Sequence, residues 1–154
     1  MILPGHLSAA YLASRVLGVD LRSAMASAMA PDMVDKPLRW LLGWTPNDRI
    51  PAHTATAWAL STLLVERLFG RMNALGWATG FGAHLACDRL NAQLNRGRIY
   101  FWWPWRHYDM HTGPTGLASS LRDFGRRSLL GEAALTLFGI AVALQRYAAS
   151  QREG

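Results

Sequence analysis

The segment His84-Leu-Ala-Cys-Asp88 sets an imidazole and a carboxylate four residues apart. In a helix, positions i and i+4 share a face. The pair can grip a divalent ion, the Asp can orient the His, or the two can form an ordinary polar pair. The surrounding Thr79-Gly-Phe-Gly-Ala-His-Leu-Ala-Cys is otherwise small and apolar. The pair is therefore expected to point inward, where a carboxylate needs a strong partner. Ala30-Pro31-Asp32-Met-Val-Asp35 places two more carboxylates three residues apart. That spacing suits a metal, a shared proton, or a helix stop followed by a cap. His53, in Arg49-Ile-Pro-Ala-His-Thr, and His6, in Pro4-Gly5-His6, each read alone as a capping or exposed histidine.

The pattern that must position these residues is helical throughout, rich in Ala, Leu, Met and Arg. A first helix is expected from about His6 to Leu17, stopping at Gly18. A second runs from Asp20, a good N-cap, to Ala30, with Pro31 ending it. A short amphipathic piece, Pro37 to Leu42, and a loop, Gly43 to Pro51, follow. A third helix spans Ala52 to Phe69 and stops at Gly70; a fourth runs from Arg71 to about Leu94. Asn95 to Gly116 is irregular and aromatic. A last helix spans about Ser119 to Ala149, with residues 150–154 fraying. The expected fold is all-α: one compact metal-binding domain over 1–149, of about five helices built from two hairpins.

Helical rise ties the four sites together. His53 to Gly70 climbs about 25 Å and Arg71 to Asp88 returns about 25 Å. In the first hairpin, His6 to Leu17 rises roughly 17 Å and Asp20 to Asp32 comes back roughly 18 Å. Two hairpins side by side can gather His6, Asp32, Asp35, His53, His84 and Asp88 at one end. Three imidazoles and three carboxylates suffice for one or two Zn²⁺-like ions with open positions.

Composition sets the outer bounds. The chain has 154 residues, 51% apolar and 17% charged, which suits one well-buried domain rather than a disordered chain. Cys87 is the one cysteine, which excludes an internal disulfide and a cysteine-rich zinc site. The opening Met-Ile-Leu-Pro-Gly-His lacks the basic start of a signal peptide, so no cleaved leader is expected. The net charge is +6, and fifteen of the sixteen basic residues are Arg, with Lys36 the exception. This favours a phosphate-bearing partner or reflects a general bias toward Arg. The arginines are scattered and no nucleic-acid reading motif appears, which argues against that partner. Ile50–Val65 and Met72–Cys87 are free of charged side chains for 16 residues each, short of the roughly 20 that a membrane span needs. Leu129–Leu144 is broken only by Glu132. The aromatic run Tyr100–Trp105, flanked by Arg98 and Arg106, fits either a membrane interface or a lid on the bundle. Arg122, Arg126 and Arg127 form a basic edge on the last helix. So apolar a bundle is open to self-association.

The ordered set Gly5-His6, Ala30-Pro31-Asp32-Met-Val-Asp35, Ala52-His53-Thr54, Gly80-Phe-Gly-Ala-His84-Leu-Ala-Cys-Asp88 and Trp103-Pro104 resembles the bacterial inner-membrane metal-dependent hydrolases of the YdjM-like group. These look like compact relatives of zinc-dependent phospholipase C, an all-α phosphodiesterase. The resemblance covers roughly residues 4 to 105. It implies that Asp32 or Asp35, His53, His84 and Asp88 bind metal, with His6 serving a second ion. It differs in the longer Pro31–Asp35 spacing and in lacking the second His-x-x-x-Glu. His107 and His111 could contribute instead, or lie in a polar loop outside the bundle. The implied reaction is phosphoester hydrolysis by metal-activated water. Whichever of Asp32 and Asp35 is not a ligand would act as general base, and Arg49, Arg98 and Arg106 would hold phosphate oxygens. The expected setting is the bacterial inner membrane or its surface, with the cytoplasm as the alternative. The rival expectation is a non-catalytic, membrane-associated helical module with a structural metal.

Overall fold

A computed structural model describes residues 3–94, 97–110, 112 and 126–152. Among the described residues there are five helices and no strand: α1 Leu3–Leu17, α2 Leu21–Trp40, α3 Ala55–Phe69, α4 Arg71–Leu94 and α5 Arg126–Ser150. They form a compact all-α bundle. Gly18 (φ +65°) and Gly70 (φ +83°) end α1 and α3 in backbone conformations open to glycine, and the chain turns back at each. Asp20 caps α2 by accepting the Ser23 N–H, and Thr54 caps α3 by accepting the Ala57 N–H.

α4 is the central helix, packed against α1, α2 and α3. Its buried stripe, Gly76, Gly80, His84, Asp88 and Ala92, recurs every four residues. α2 answers with Ala24, Ser27, Ala28, Pro31 and Asp35, and α1 with His6, Ala10 and Ser14. These are small or polar residues, so the helix backbones approach closely. A Cβ on Gly80 would lie 1.9 Å from the Ala24 carbonyl oxygen, and one on Gly76 would lie 2.5 Å from that of Asp20. The matched steps from Gly76 to Gly80 and from Asp20 to Ala24 make α2 and α4 parallel. α3 and α4 are antiparallel: the Trp58 indole donates to the Ala78 carbonyl (3.0 Å) and the Trp77 indole to the Ser61 hydroxyl (3.0 Å). α5 lies on α1, with Gly139 against Ser8.

Two expectations about the elements need correction. Pro31 does not end the second helix. α2 runs through Pro31 and Pro37 to Trp40, absorbing the separate piece expected at Pro37 to Leu42. An interior proline costs about 3 kcal/mol, but stopping at Ala30 would release Pro31 and Asp35 from the buried face. It would also break the Asp32–Lys36 ion pair one turn apart. The third helix starts at Ala55 rather than Ala52, so His53 stands outside the helix, in a bend just ahead of the Thr54 cap. The expected helix start at Ser119, together with His111 and Arg122, falls outside the described residues.

Much of the outer surface is apolar. Leu60, Leu63, Leu64 and Leu68 of α3 and Leu130, Leu137, Phe138 and Leu144 of α5 are exposed. Leu130–Ser150 is long and apolar enough to cross a membrane by length and composition. Its one acidic residue, Glu132, is buried, so the outer face is not interrupted by it.

Gly80→Ala is expected to cost about 3 kcal/mol, because overpacking here meets backbone rather than a movable side chain. Gly131→Ala, exposed in α5 with nothing within 4 Å of its added Cβ, should gain up to about 1 kcal/mol. Urea unfolding midpoints of the two variants against the parent check the pair; a Gly80→Ala protein of parental stability would refute the close packing.

Candidate metal centre

Following the α2–α4 register one turn beyond Gly80 and Ala24 brings His84 opposite Ala28. Its Nδ1 donates to the Ala28 carbonyl at 2.7 Å. A carbonyl can only accept, so Nδ1 carries the proton and Nε2 is left with the lone pair. His53 is set the same way from the other side. Its Nδ1 donates to Asp35 Oδ2 at 2.7 Å, and its Nε2 turns toward His84. The two Nε2 atoms are 3.1 Å apart. Two lone pairs at that distance repel unless a positive species lies between them. Two Zn–N bonds of about 2.05 Å at a tetrahedral angle would separate the nitrogens by about 3.3 Å.

The other donors converge on the same place. Asp88 Oδ2 is 3.5 Å from His53 Nε2, and Asp32 Oδ1 is 3.4 Å from it. Asp88 Oδ1 is 3.5 Å from His6 Nε2. The His6 ring stacks on His84, with centroids 3.7 Å apart. His6 is fully buried, and among the described residues neither of its nitrogens has a hydrogen-bond partner. A buried polar group left that way is destabilising, and a metal ion would relieve it. Among the described residues, two donor groups could hold an ion: His53, His84 and Asp88, and His6, Asp32 and His84. His84 has one free lone pair, so it can serve only one ion at a time. A second ion would depend on His6 with a carboxylate.

Asp35 stands apart from the role expected of it. It is fully buried, and its oxygens accept the Ala52 N–H (2.8 Å), the His53 N–H (3.0 Å) and His53 Nδ1–H (2.7 Å). It belongs to neither donor group, and it has no access to water for work as a base. It fixes the tautomer and aim of His53, as carboxylates behind metal-binding histidines do. Asp32 is at the rim and pairs with Lys36.

Of the three arginines expected to hold phosphate, Arg49 reaches the site, its guanidinium donating to Asp88 Oδ2 at 3.1 Å. Arg98 and Arg106 do not. Both are exposed, with Arg98 near the Asp109 carbonyl (3.4 Å) and Arg106 over the Tyr108 ring (6.0 Å). His107 is exposed as well. Arg89 was not anticipated. It lines, with Arg49, a cavity of about 500 Å³ that reaches His53 and Asp88. Nothing in helical periodicity singles it out, since it lies about 100° around the helix from Asp88. The aromatic run folds as a strap on the start of α3: the Phe101 carbonyl accepts the Ala55 N–H (2.8 Å), and the Trp105 indole donates to the Thr56 hydroxyl (2.9 Å).

The charges of the metal-free cluster follow from this geometry. Burial and the neighbouring His84 push His6 down to about 3. Burial and His53 lower His84 to about 4. Burial opposes charge on His53 too, but Asp32 and Asp35 outweigh it and raise His53 to about 9. Burial works against ionising Asp32 and Asp88. Contact with His53 and Lys36 outweighs it for Asp32, and Arg49 does so for Asp88, so both stay well below the usual carboxylate range. One proton, on His53, thus occupies the space between two imidazoles.

Stability of the metal-free protein should peak near neutrality. Below about 6.5 the unfolded chain protonates the histidines equivalent to His6 and His84, which the fold keeps neutral, so stability falls with acid. Between about 6.5 and 9 the fold keeps a proton on His53 that the unfolded chain releases, so stability falls again with base. Melting temperatures in chelator at pH 5, 7 and 9 check this; a monotonic rise from 5 to 9 would contradict the arrangement.

Comparison of the chain with protein-family models, with curated proteins and with solved structures finds no match.

Proposed function

We propose that this protein is a metal-dependent hydrolase acting on phosphoesters. The observation that carries the reading is the pair of His53 and His84 Nε2 atoms facing each other at 3.1 Å, with Asp88 beside them and a cavity leading to that point. The imidazole and carboxylate donors fit a zinc-like ion. Such an ion supplies Lewis acidity toward a phosphoryl oxygen and acidifies water. The chain's residues do the rest. The Ala28 carbonyl and Asp35 hold the two imidazoles in the tautomers that present Nε2. Asp32, ionised at the rim, completes a donor set with His6 or accepts a proton from water. Arg49 and Arg89 line that cavity, and there they would bind phosphoryl oxygens. The sequence resemblance to YdjM-like hydrolases and zinc-dependent phospholipase C supports the same chemistry.

The cavity reaching the cluster supports this reading over a purely structural ion, since a structural site closes its coordination shell. His84→Ala and Asp88→Ala are expected to lose bound metal and metal-dependent turnover of bis(p-nitrophenyl) phosphate. Asp35→Asn should keep metal with an affinity about 10- to 100-fold lower. Elemental analysis and turnover assays check these; equal metal in the parent and both alanine variants would remove the site. Chelation that lowers the melting temperature, in a protein that turns over no ester, would instead favour the structural ion.

The proposal includes a membrane setting at the bacterial inner membrane. The exposed leucines of α3 and the Leu130–Ser150 stretch support it. A 21-residue helix is about 31 Å long, close to the hydrocarbon thickness of a bilayer. Leu137 and Leu144 are largely exposed, so lysine there should leave the fold intact in water. Each lysine would oppose insertion by up to about 3 kcal/mol. Leu137→Lys with Leu144→Lys should therefore shift the protein from membrane to soluble fractions; unchanged membrane retention after a carbonate wash would count against α5 as a span.

A further inference from the structure

Two carboxylates of the cluster already carry a cation. Lys36 pairs with Asp32, and Arg49 pairs with Asp88. The pairs differ in the oxygen they use. Lys36 bonds Asp32 Oδ2, while Oδ1 is the oxygen 3.4 Å from His53 Nε2. A carboxylate can serve one cation on each oxygen, so an ion at His53 could share Asp32 with Lys36. Asp88 is arranged otherwise. Its Oδ1 is turned to His6 Nε2 at 3.5 Å. Its Oδ2 accepts from the Arg49 guanidinium at 3.1 Å and lies 3.5 Å from His53 Nε2. That oxygen is the one an ion held by His53, His84 and Asp88 would take. With a metal–oxygen bond of about 2.1 Å, the ion and the guanidinium nitrogen would stand no more than about 5 Å apart. The Asp88 side chain is only 9% exposed, so water screens that repulsion poorly. Arg49 is able to leave. It stands in the loop between α2 and α3, its backbone N–H fixed to Asn47 Oδ1 (3.0 Å). Its side chain is 29% exposed and lines the cavity.

We infer that Arg49 is an internal rival of the metal ion: it holds Asp88 Oδ2 when no ion is bound, and loading of the ion turns its guanidinium out into the cavity. This rests on the reading of the cluster as a metal centre and not on the reaction proposed for it. The centre then binds its ion more weakly than the same donors would without Arg49. The guanidinium also becomes available to an anion in the cavity only once the ion is in place, so the two binding events are coupled. An arginine that merely supported Asp88 from behind, as Asp35 supports His53, would act in the opposite direction and strengthen the hold on the ion. The sign of the effect therefore separates a rival from a support.

Titration of the purified protein with Co²⁺, read by visible absorption, gives that sign. Arg49→Gln is expected to bind Co²⁺ at least about 10-fold more tightly than the parent. Lys36→Met removes an equal charge from an oxygen that the ion does not contest, and its gain should stay within about 3-fold. Phenylglyoxal, which modifies accessible guanidinium groups, reads the release itself. Peptide mapping should show Arg49 modified several-fold faster in Co²⁺-saturated than in Co²⁺-free protein, with the exposed Arg106 unchanged. Weaker Co²⁺ binding by Arg49→Gln would make Arg49 a support for Asp88 and overturn the inference. Equal gains in the two variants would show general charge repulsion instead of a contested oxygen, and would overturn it too, as would an Arg49 modification rate indifferent to the ion. A parent that takes up no Co²⁺ would remove the metal centre and this inference with it. Neither readout involves turnover, so a protein that meets both expectations and cleaves no ester would sink the hydrolase reading alone.

Discussion

The backbone contact between α4 and α2 is the constraint on which the site depends. Gly80 lets the Ala24 carbonyl approach to a distance that no side chain would permit. It thereby locks two parallel helices in a single register. One turn farther, the same register sets His84 against the Ala28 carbonyl and so decides which of its nitrogens carries the proton. A slide of one residue would rotate His84 by about 100° away from that carbonyl. The tautomer of His84 is thus set by two glycines in the preceding turns of the same helix.

The price of this packing is a core with few large apolar side chains and a dense polar cluster. Burying ionised carboxylates and imidazoles is unfavourable unless each finds a partner. Lys36 and Arg49 answer Asp32 and Asp88, and a proton on His53 answers the two facing nitrogens. His6, stacked on His84, has Asp88 Oδ1 3.5 Å from its Nε2 but no hydrogen bond among the described residues. A divalent ion in place of the His53 proton would add one more positive charge where two carboxylates already converge, and binding would then be coupled to fold stability.

The six clustered residues were legible because helical rise is nearly invariant. Counting residues from Gly70 back to His53 and forward to Asp88 brings both to one depth, whatever the side chains between them. The same arithmetic joins His6 to Asp32 across the Gly18 turn. Local propensity was a poorer guide at Pro31, where burial of Pro31 and Asp35 outweighed the lost hydrogen bond. Spacing could not separate Asp32 from Asp35. Three residues apart, they look equivalent along the chain, yet three N–H groups from residues 52 and 53 claim Asp35 and leave Asp32 at the rim.

Composition and periodicity alone determined an all-helical chain, two hairpins, and a shared end for His6, Asp32, Asp35, His53, His84 and Asp88. They did so because helix geometry is local: rise per residue and turn chemistry need no knowledge of neighbours. Which arginines face the cavity, which carboxylate is taken up by residues 52 and 53 and which stays at the rim, and which imidazole nitrogen is presented were decided only in three dimensions. Arg49 and Arg89 reach the cavity while Arg98 and Arg106 stay outside, because the strap from Ile99 to Trp105 is held by hydrogen bonds to α3 and not by any pattern of its own. Rotation about a helix axis and the path of an irregular segment come from contacts between elements, and no local spacing encodes them.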